Sequence, residues 1–251
     1  MSDQVRIERR NGVLAIMLAR PERRNAITVA MYAALADAIA GAADDRSIRV
    51  ITIEGEGEDF TAGNELSDFL AEPMNEDVDV PVWRLLKALA VNEVPIVAAV
   101  HGNAVGIGTT MLFHCDLVIA EEGSRFLMPF VNLGLVPEAA SSFLLPQMAG
   151  RRAAARHFLL AEPFGAAEAL HMGLASHVVA KGAGAAALAK IVATLLAKPA
   201  EALRLTQKLL RTDQRDAVTA RIALENGHFA ERLASDEVKQ AIAAFFAARA
   251  K

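Results

Sequence analysis

At 251 residues, 53% of them hydrophobic, the chain is long enough to bury one large core. A net charge of −4 excludes the global basic field that would draw nucleic acid or an anionic membrane surface. The single cysteine, Cys115, excludes an internal disulfide and a multi-cysteine metal site, and its apolar neighbours point to a buried, inert thiol.

The first residues, Met1-Ser2-Asp3-Gln4, lack a signal-peptide apolar region, and the last, Ala248 to Lys251, are not a Ser-Lys-Leu address; the expected compartment is the cytoplasm. Val5 and Ile7 alternate with Arg6 and Glu8, and Asn11-Gly12 signals a two-residue hairpin into a strand from Val13 to Leu18. Alanines and apolar residues at helical spacing predict a helix from about Thr28 to Ala42. Val50 to Ile53 reads as a buried strand, Phe60 to Phe69 as irregular, and Glu72 to Val80 as an acidic, mobile stretch. Pro81 opens a helix to about Ala90; Ile96 to Val100 and Leu117 to Ile119 are strands, with a helix from Thr109 to about His114 between them. Strands and helices alternating to about residue 180 predict an α/β layout with mainly parallel pairing. Beyond Gly184 only helical periodicity remains, in segments 185–198, 200–212, 217–233 and 236–250. The expected division is a core over residues 1–195 and a helical region over 196–251. No apolar run approaches the roughly 20 residues that span a bilayer.

Two glycine loops each follow a predicted buried strand: Phe60-Thr61-Ala62-Gly63-Asn64-Glu65-Leu66, and His101-Gly102-Asn103-Ala104-Val105-Gly106-Ile107-Gly108-Thr109, which runs into a helix. Glycine lets a backbone approach a ligand closely, and a helix start leaves N–H groups unpaired. Two such loops brought together can aim two donors at one developing negative charge; taken alone, they are equally ordinary turns. The spacing Gly102-Gly106-Gly108 is not the dinucleotide fingerprint, and no acidic residue ends a second strand about 20 residues on. The six histidines show no metal-ligand spacing, so neither a metal nor a redox cofactor is expected.

At these loops the sequence resembles the crotonase (enoyl-CoA hydratase/isomerase) superfamily. Arg20-Pro21-Glu22-Arg23-Arg24-Asn25-Ala26 is similar to its R-P-x-x-x-N-A segment, and the first loop to its F-x-A-G-x-D/E-L. Pro95 to Gly108 matches P-x-x-A-x-x-x-G-x-A-x-G-x-G, Cys115-Asp116 the following C-D, and Pro129, Gly134 and Pro137 the P-x-x-x-x-G-x-x-P stretch. The resemblance implies an α/β spiral of ββα units with a C-terminal all-helical region, an acyl-CoA thioester as substrate and partner, and a homotrimer or hexamer. It also implies an oxyanion hole made by the main-chain amides of Asn64 and Ile107.

The family's efficient hydratases use two glutamates, whose positions here hold Thr110 and Phe130; neither is an acid or base near neutral pH. Pro137-Glu138-Ala139-Ala140-Ser141-Ser142 instead resembles the P-E-G-x-S-S stretch of peroxisomal-type Δ3,Δ2-enoyl-CoA isomerases, which implies Glu138 as the catalytic base. A glutamate after a proline is also common in the first turn of a helix, where it favours the dipole. By the same resemblance Arg23 and Arg24 lie along coenzyme A, with Ala26, Ala62, Gly63, Leu66, Gly106 and Phe130 completing the binding set. Phe69, Trp83, Leu86 and Phe130 are the expected acyl-pocket lining, while Glu65 and Asp116 are expected to be structural. A weak hydratase, a thioester hydrolase, a decarboxylase and a non-catalytic acyl-CoA binder share this fold and stay open as alternatives.

Overall fold

The computed structural model describes residues 4–71 and 80–249. Residues 72–79 of the acidic stretch and the side chain of Phe69 lie outside the described residues. The elements in chain order are β1 (Val5–Arg10), β2 (Val13–Leu18), α1 (Val29–Asp44), β3 (Val50–Gly55), α2 (Leu66–Ala71), α3 (Pro81–Val91), β4 (Ile96–Val100), β5 (Asn103–Val105) and α4 (Ile107–Thr110). There follow β6 (Leu117–Glu121), β7 (Arg125–Leu127), α5 (Ser141–Ala149), α6 (Arg151–Leu159), β8 (Phe164–Gly165), α7 (Ala166–His171) and β9 (His177–Val179). Four helices close the chain: α8 (Gly184–Leu196), α9 (Ala200–Thr212), α10 (Arg215–Leu233) and α11 (Asp236–Arg249).

Asn11 and Gly12 both have positive φ, 52° and 82°, so their turn matches the twist of the β1–β2 hairpin. From β2 onward the main sheet is parallel, in the order β1-β2-β3-β4-β6-β9. β4 is buried along its whole length, which is why Ile96 to Val100 is continuously apolar rather than alternating. One sheet face packs against α1 and α3 through Leu14, Ile16, Ile51, Ile53, Leu35 and Leu86. The opposite face presents Val50, Val97, Ala99 and Ile119 to Leu188, Ile191 and Leu195 of α8.

Four main-sheet strands, β2, β3, β4 and β6, are each followed by a shorter inner extended segment and then a helix. β2 leads to Ile27 and α1, β3 to Thr61–Asn64 and α2, β4 to β5 and α4, β6 to β7 and α5. The inner segments pair with one another in parallel: Ile27 with Asn64, Thr61 with Ala104, and β5 with β7. This is a spiral of ββα turns, and it stacks both glycine loops along one line. The inner sheet, with β8 as its third strand, is too short to show as periodicity in the sequence. No helix among the described residues is long and apolar enough to cross a membrane.

Candidate active site

The two glycine loops meet edge to edge. Thr61 N–H donates to Asn103 O at 3.0 Å, and Val105 N–H donates to Thr61 O at 3.0 Å. Asn64 and Ile107 each stand three residues beyond the paired Thr61 and Ala104. Gly63 has φ +89°, and a Cβ there would lie 2.7 Å from Val105 O, so both its conformation and its neighbour demand glycine. Gly106, at φ +55°, turns the chain out of β5 and accepts from the amides of Thr109 and Thr110, opening α4. Ile107 is then the first helical residue, and its N–H has no acceptor among the described residues. The same holds for Asn64 N–H, because its neighbours Gly63 O and Glu65 N make the ladder bonds to Ile27.

Glu138 is fully buried, and neither carboxyl oxygen has a hydrogen-bond partner among the described residues. Burial and then the repulsion of Glu225 push its carboxyl up to about 8, against a smaller lowering by the adjoining Thr110 hydroxyl, which makes no hydrogen bond of ordinary geometry to it. Ala139 and Ala140, which follow it, both occupy the left-handed region, at φ 60° and 54°. For alanine that costs about 1–2 kcal/mol per residue. Neighbouring groups hold the segment in place. Ser141 Oγ donates to Glu138 O at 2.6 Å, the buried His114 ring to Ala139 O at 2.8 Å, and Ala140 N–H to Glu225 at 2.6 Å.

A cleft of about 790 Å³ opens over the loops. Arg23, Arg24, Ala26, Ala62, Gly63, Asn64, Leu66, Gly106 and Phe130 all line it. Arg23 and Arg24 stand at its exposed rim; Arg23 also reaches Glu65 at 3.3 Å, and Arg24 approaches Asp59 at 3.8 Å. Ile107 and Glu138 are not among the lining residues, and both are fully buried. Trp83 and Leu86 do not line the cleft: Leu86 is core, and Trp83 stands edge-on to Phe229 with ring centroids 6.2 Å apart. The i, i+3 spacing of these two residues reports a core face. Glu65 accepts from the Arg20 side chain at 2.8 Å, and Asp116 accepts from Ile96 N–H at 2.8 Å and from Arg211, so each is engaged in holding its own loop.

Three participants were not legible in the sequence. Tyr32 of α1 is buried, donates to Asn64 Oδ1 and lies within the electrostatic reach of Glu138. His114 is buried and held neutral by desolvation, its pKa lowered to about 4. Glu225 arrives from α10, 85 residues from Ala140. The cleft wall is completed by Phe229 of α10 and by Ile242, Phe245 and Phe246 of α11. Each of these sits in an ordinary helical pattern, and only the tertiary fold brings it to the site.

The family model described as Enoyl-CoA hydratase/isomerase matches residues 8–251. The chain belongs to this family. A solved enoyl-CoA hydratase/isomerase from Pseudoalteromonas atlantica T6c superposes with a TM-score of 0.92 at 40% identity, covering 97% of each chain. Two relatives from Escherichia coli (strain K12) are each 31% identical. The 1,2-epoxyphenylacetyl-CoA isomerase matches over 95% of this chain and 93% of its own length, and the 2,3-dehydroadipyl-CoA hydratase over 97% and 95%. Enoyl-CoA hydratase/isomerase relatives of equal similarity thus carry different reactions, and the choice for this chain falls to the chemistry of its own site.

Proposed function

We propose that this chain is a Δ3,Δ2-enoyl-CoA isomerase, moving the double bond of a 3-enoyl thioester into conjugation with the carbonyl. The observation that carries the reading is the fully buried carboxyl of Glu138 beside Thr110, while Thr110 and Phe130 occupy the positions where hydratases place their carboxylates. Moving a double bond needs one group that takes a proton and returns it, and a carboxyl poised near neutrality does both. Ionised Glu138 removes a proton from C2, the electrons pass to the thioester oxygen, and the Asn64 and Ile107 amides hold the dienolate oxygen. The protonated Glu138 then delivers the same proton to C4, giving the 2-enoyl product and the starting carboxylate. Each amide lost from such a pair costs about 3–4 kcal/mol of transition-state stabilisation.

In this reading Arg23 and Arg24 face the phosphates of coenzyme A, and the Ala26, Ala62, Gly63 and Gly106 backbone borders its thioester arm. Leu66 and Phe130 flank the acyl chain. Glu138 has no exposed surface and is not part of the cleft lining, so the reading requires side chains to move before the acyl chain reaches it. A homotrimer or a pair of trimers fits the exposed Leu205, Leu209 and Leu210 of α9, which offer apolar surface for contact. The test is to supply a 3-enoyl-CoA and follow the rise of conjugated thioester absorbance with wild type and Glu138→Ala. Turnover that disappears with the carboxyl supports the reading; an unchanged rate removes it.

A further inference from the structure

We propose that Glu225 is the positioning residue for the catalytic carboxyl, clamping Ala139 and Ala140 in a backbone conformation that only glycine adopts unaided. The inference rests on Glu138 acting as the base. The Glu138 oxygens have no hydrogen bond to aim them, so their direction follows from the backbone at 138–141. That backbone contains two consecutive left-handed alanines with no exposed surface. Left-handed geometry is disfavoured for alanine, so outside contacts must hold it.

Glu225 supplies them in a form the segment lacks locally. Ala140 is the N-cap of α5 and has no side chain able to accept from the helix's open amides. Glu225 takes that place from α10: one oxygen accepts Ala140 N–H at 2.6 Å, and the other accepts Ser142 N–H at 3.1 Å as well as the Ser142 hydroxyl. With both oxygens on backbone donors, the ionised form is the one that fits, although burial holds this carboxyl above the ordinary carboxylate value against the hydrogen bonds and Arg221. Arg221, on the preceding turn of α10, donates to Ser142 Oγ at 3.1 Å and fixes the serine from the other side. The titratable or charged groups around the segment are Tyr32 from α1, His114, Arg221 and Glu225 from α10, and Arg211 from α9 behind His114. Of these, Glu225 is the one that raises Glu138 by direct repulsion.

The test uses the full-length protein with a six-carbon 3-enoyl-CoA, comparing Glu225→Gln in the natural background and in a background carrying Ala139→Gly and Ala140→Gly. Glutamine keeps the shape but removes the charge and turns one acceptor into a donor facing a backbone N–H. The expected result is a kcat lowered about tenfold or more with KM within about twofold. The rising limb of the pH profile should move to lower pH, because the charge opposing Glu138 ionisation is gone. In the glycine background the same substitution should cost no more than about threefold. Failure of Glu225→Gln to fold, reversed by the glycine pair, supports the clamp equally. A Glu225→Gln enzyme with the wild-type kcat and pH limb overturns the proposal, as does an equal loss, or loss of folding, in both backgrounds. If Glu138→Gln keeps its rate, the isomerase reading falls instead; if that variant is dead while Glu225→Gln is not, only the positioning role falls.

Discussion

The Tyr32 hydroxyl donates to Asn64 Oδ1, tying the first helix to the loop whose main-chain amide faces the proposed oxyanion. Tyr32 is otherwise enclosed, and both burial and the nearby Glu138 hold its phenol well above the usual range, so it remains a neutral donor. Tyr32→Phe leaves the Asn64 carbonyl oxygen without that donor. The expected cost is about 1 kcal/mol of stability and a fall in kcat of about three- to tenfold with little change in KM. Denaturant melts and steady-state kinetics on one preparation separate the two effects.

In the proposed isomerisation Glu138 must be ionised to accept the C2 proton, so kcat/KM should rise with pH and level off above about 8. Stability runs the other way. The folded carboxyl keeps its proton from an ordinary value of 4.5 up to about 8 while the unfolded chain releases it, so stability falls as pH rises through that window. Glu138→Gln abolishes this loss: at pH 7 the inactive variant should be more stable by up to about 3 kcal/mol, with no gain at pH 4. Melts of both proteins across pH read the difference directly.

His114 shapes the acid side. A carbonyl only accepts, so Nε2 carries the proton in the bond to Ala139 O, and the neutral ring is the one that fits. Its folded pKa is about 4 against an ordinary 6.5, so the unfolded chain takes up the proton first as pH drops. Stability from this group is complete above 6.5 and is lost as pH falls toward 4, by up to about 3 kcal/mol. His114→Gln retains a donor to Ala139 O without the titration and should flatten the acid limb of a stability–pH curve.

Gly63→Ala tests the contact between the glycine loops. With φ at +89° and Val105 O only 2.7 Å from the added carbon, the two loops must separate. The expected loss is about 1–3 kcal/mol of stability and about 100-fold or more in kcat, since one oxyanion donor is displaced. Normal turnover in a folded Gly63→Ala protein removes the Asn64 amide from the mechanism.

Backbone-determined features were the legible part. The Asn11-Gly12 hairpin, the parallel strands and both glycine loops depend on local conformation, which residue type encodes directly, and α9 runs from Ala200 to Thr212 as its periodicity predicts. Phe60 to Phe69, read as irregular, does contain a helix from Leu66, which six residues are too few to announce. The inner strands of two or three residues carry no readable alternation. Glu225 was invisible for a different reason: nothing in Ala223-Leu224-Glu225-Asn226 separates a buried clamp from a solvated helical carboxylate until α10 is laid across α5.

Covalent order and working order therefore differ in this molecule. A fragment ending near Leu195 would retain both glycine loops and Glu138, yet lose the acceptor for the α5 amides, the ring against which Trp83 rests, and the apolar roof supplied by Ile242 and Phe245. Proteolytic trimming or gene shortening at that end removes part of the cleft wall, and transplanting the first 195 residues onto another scaffold would leave that part behind.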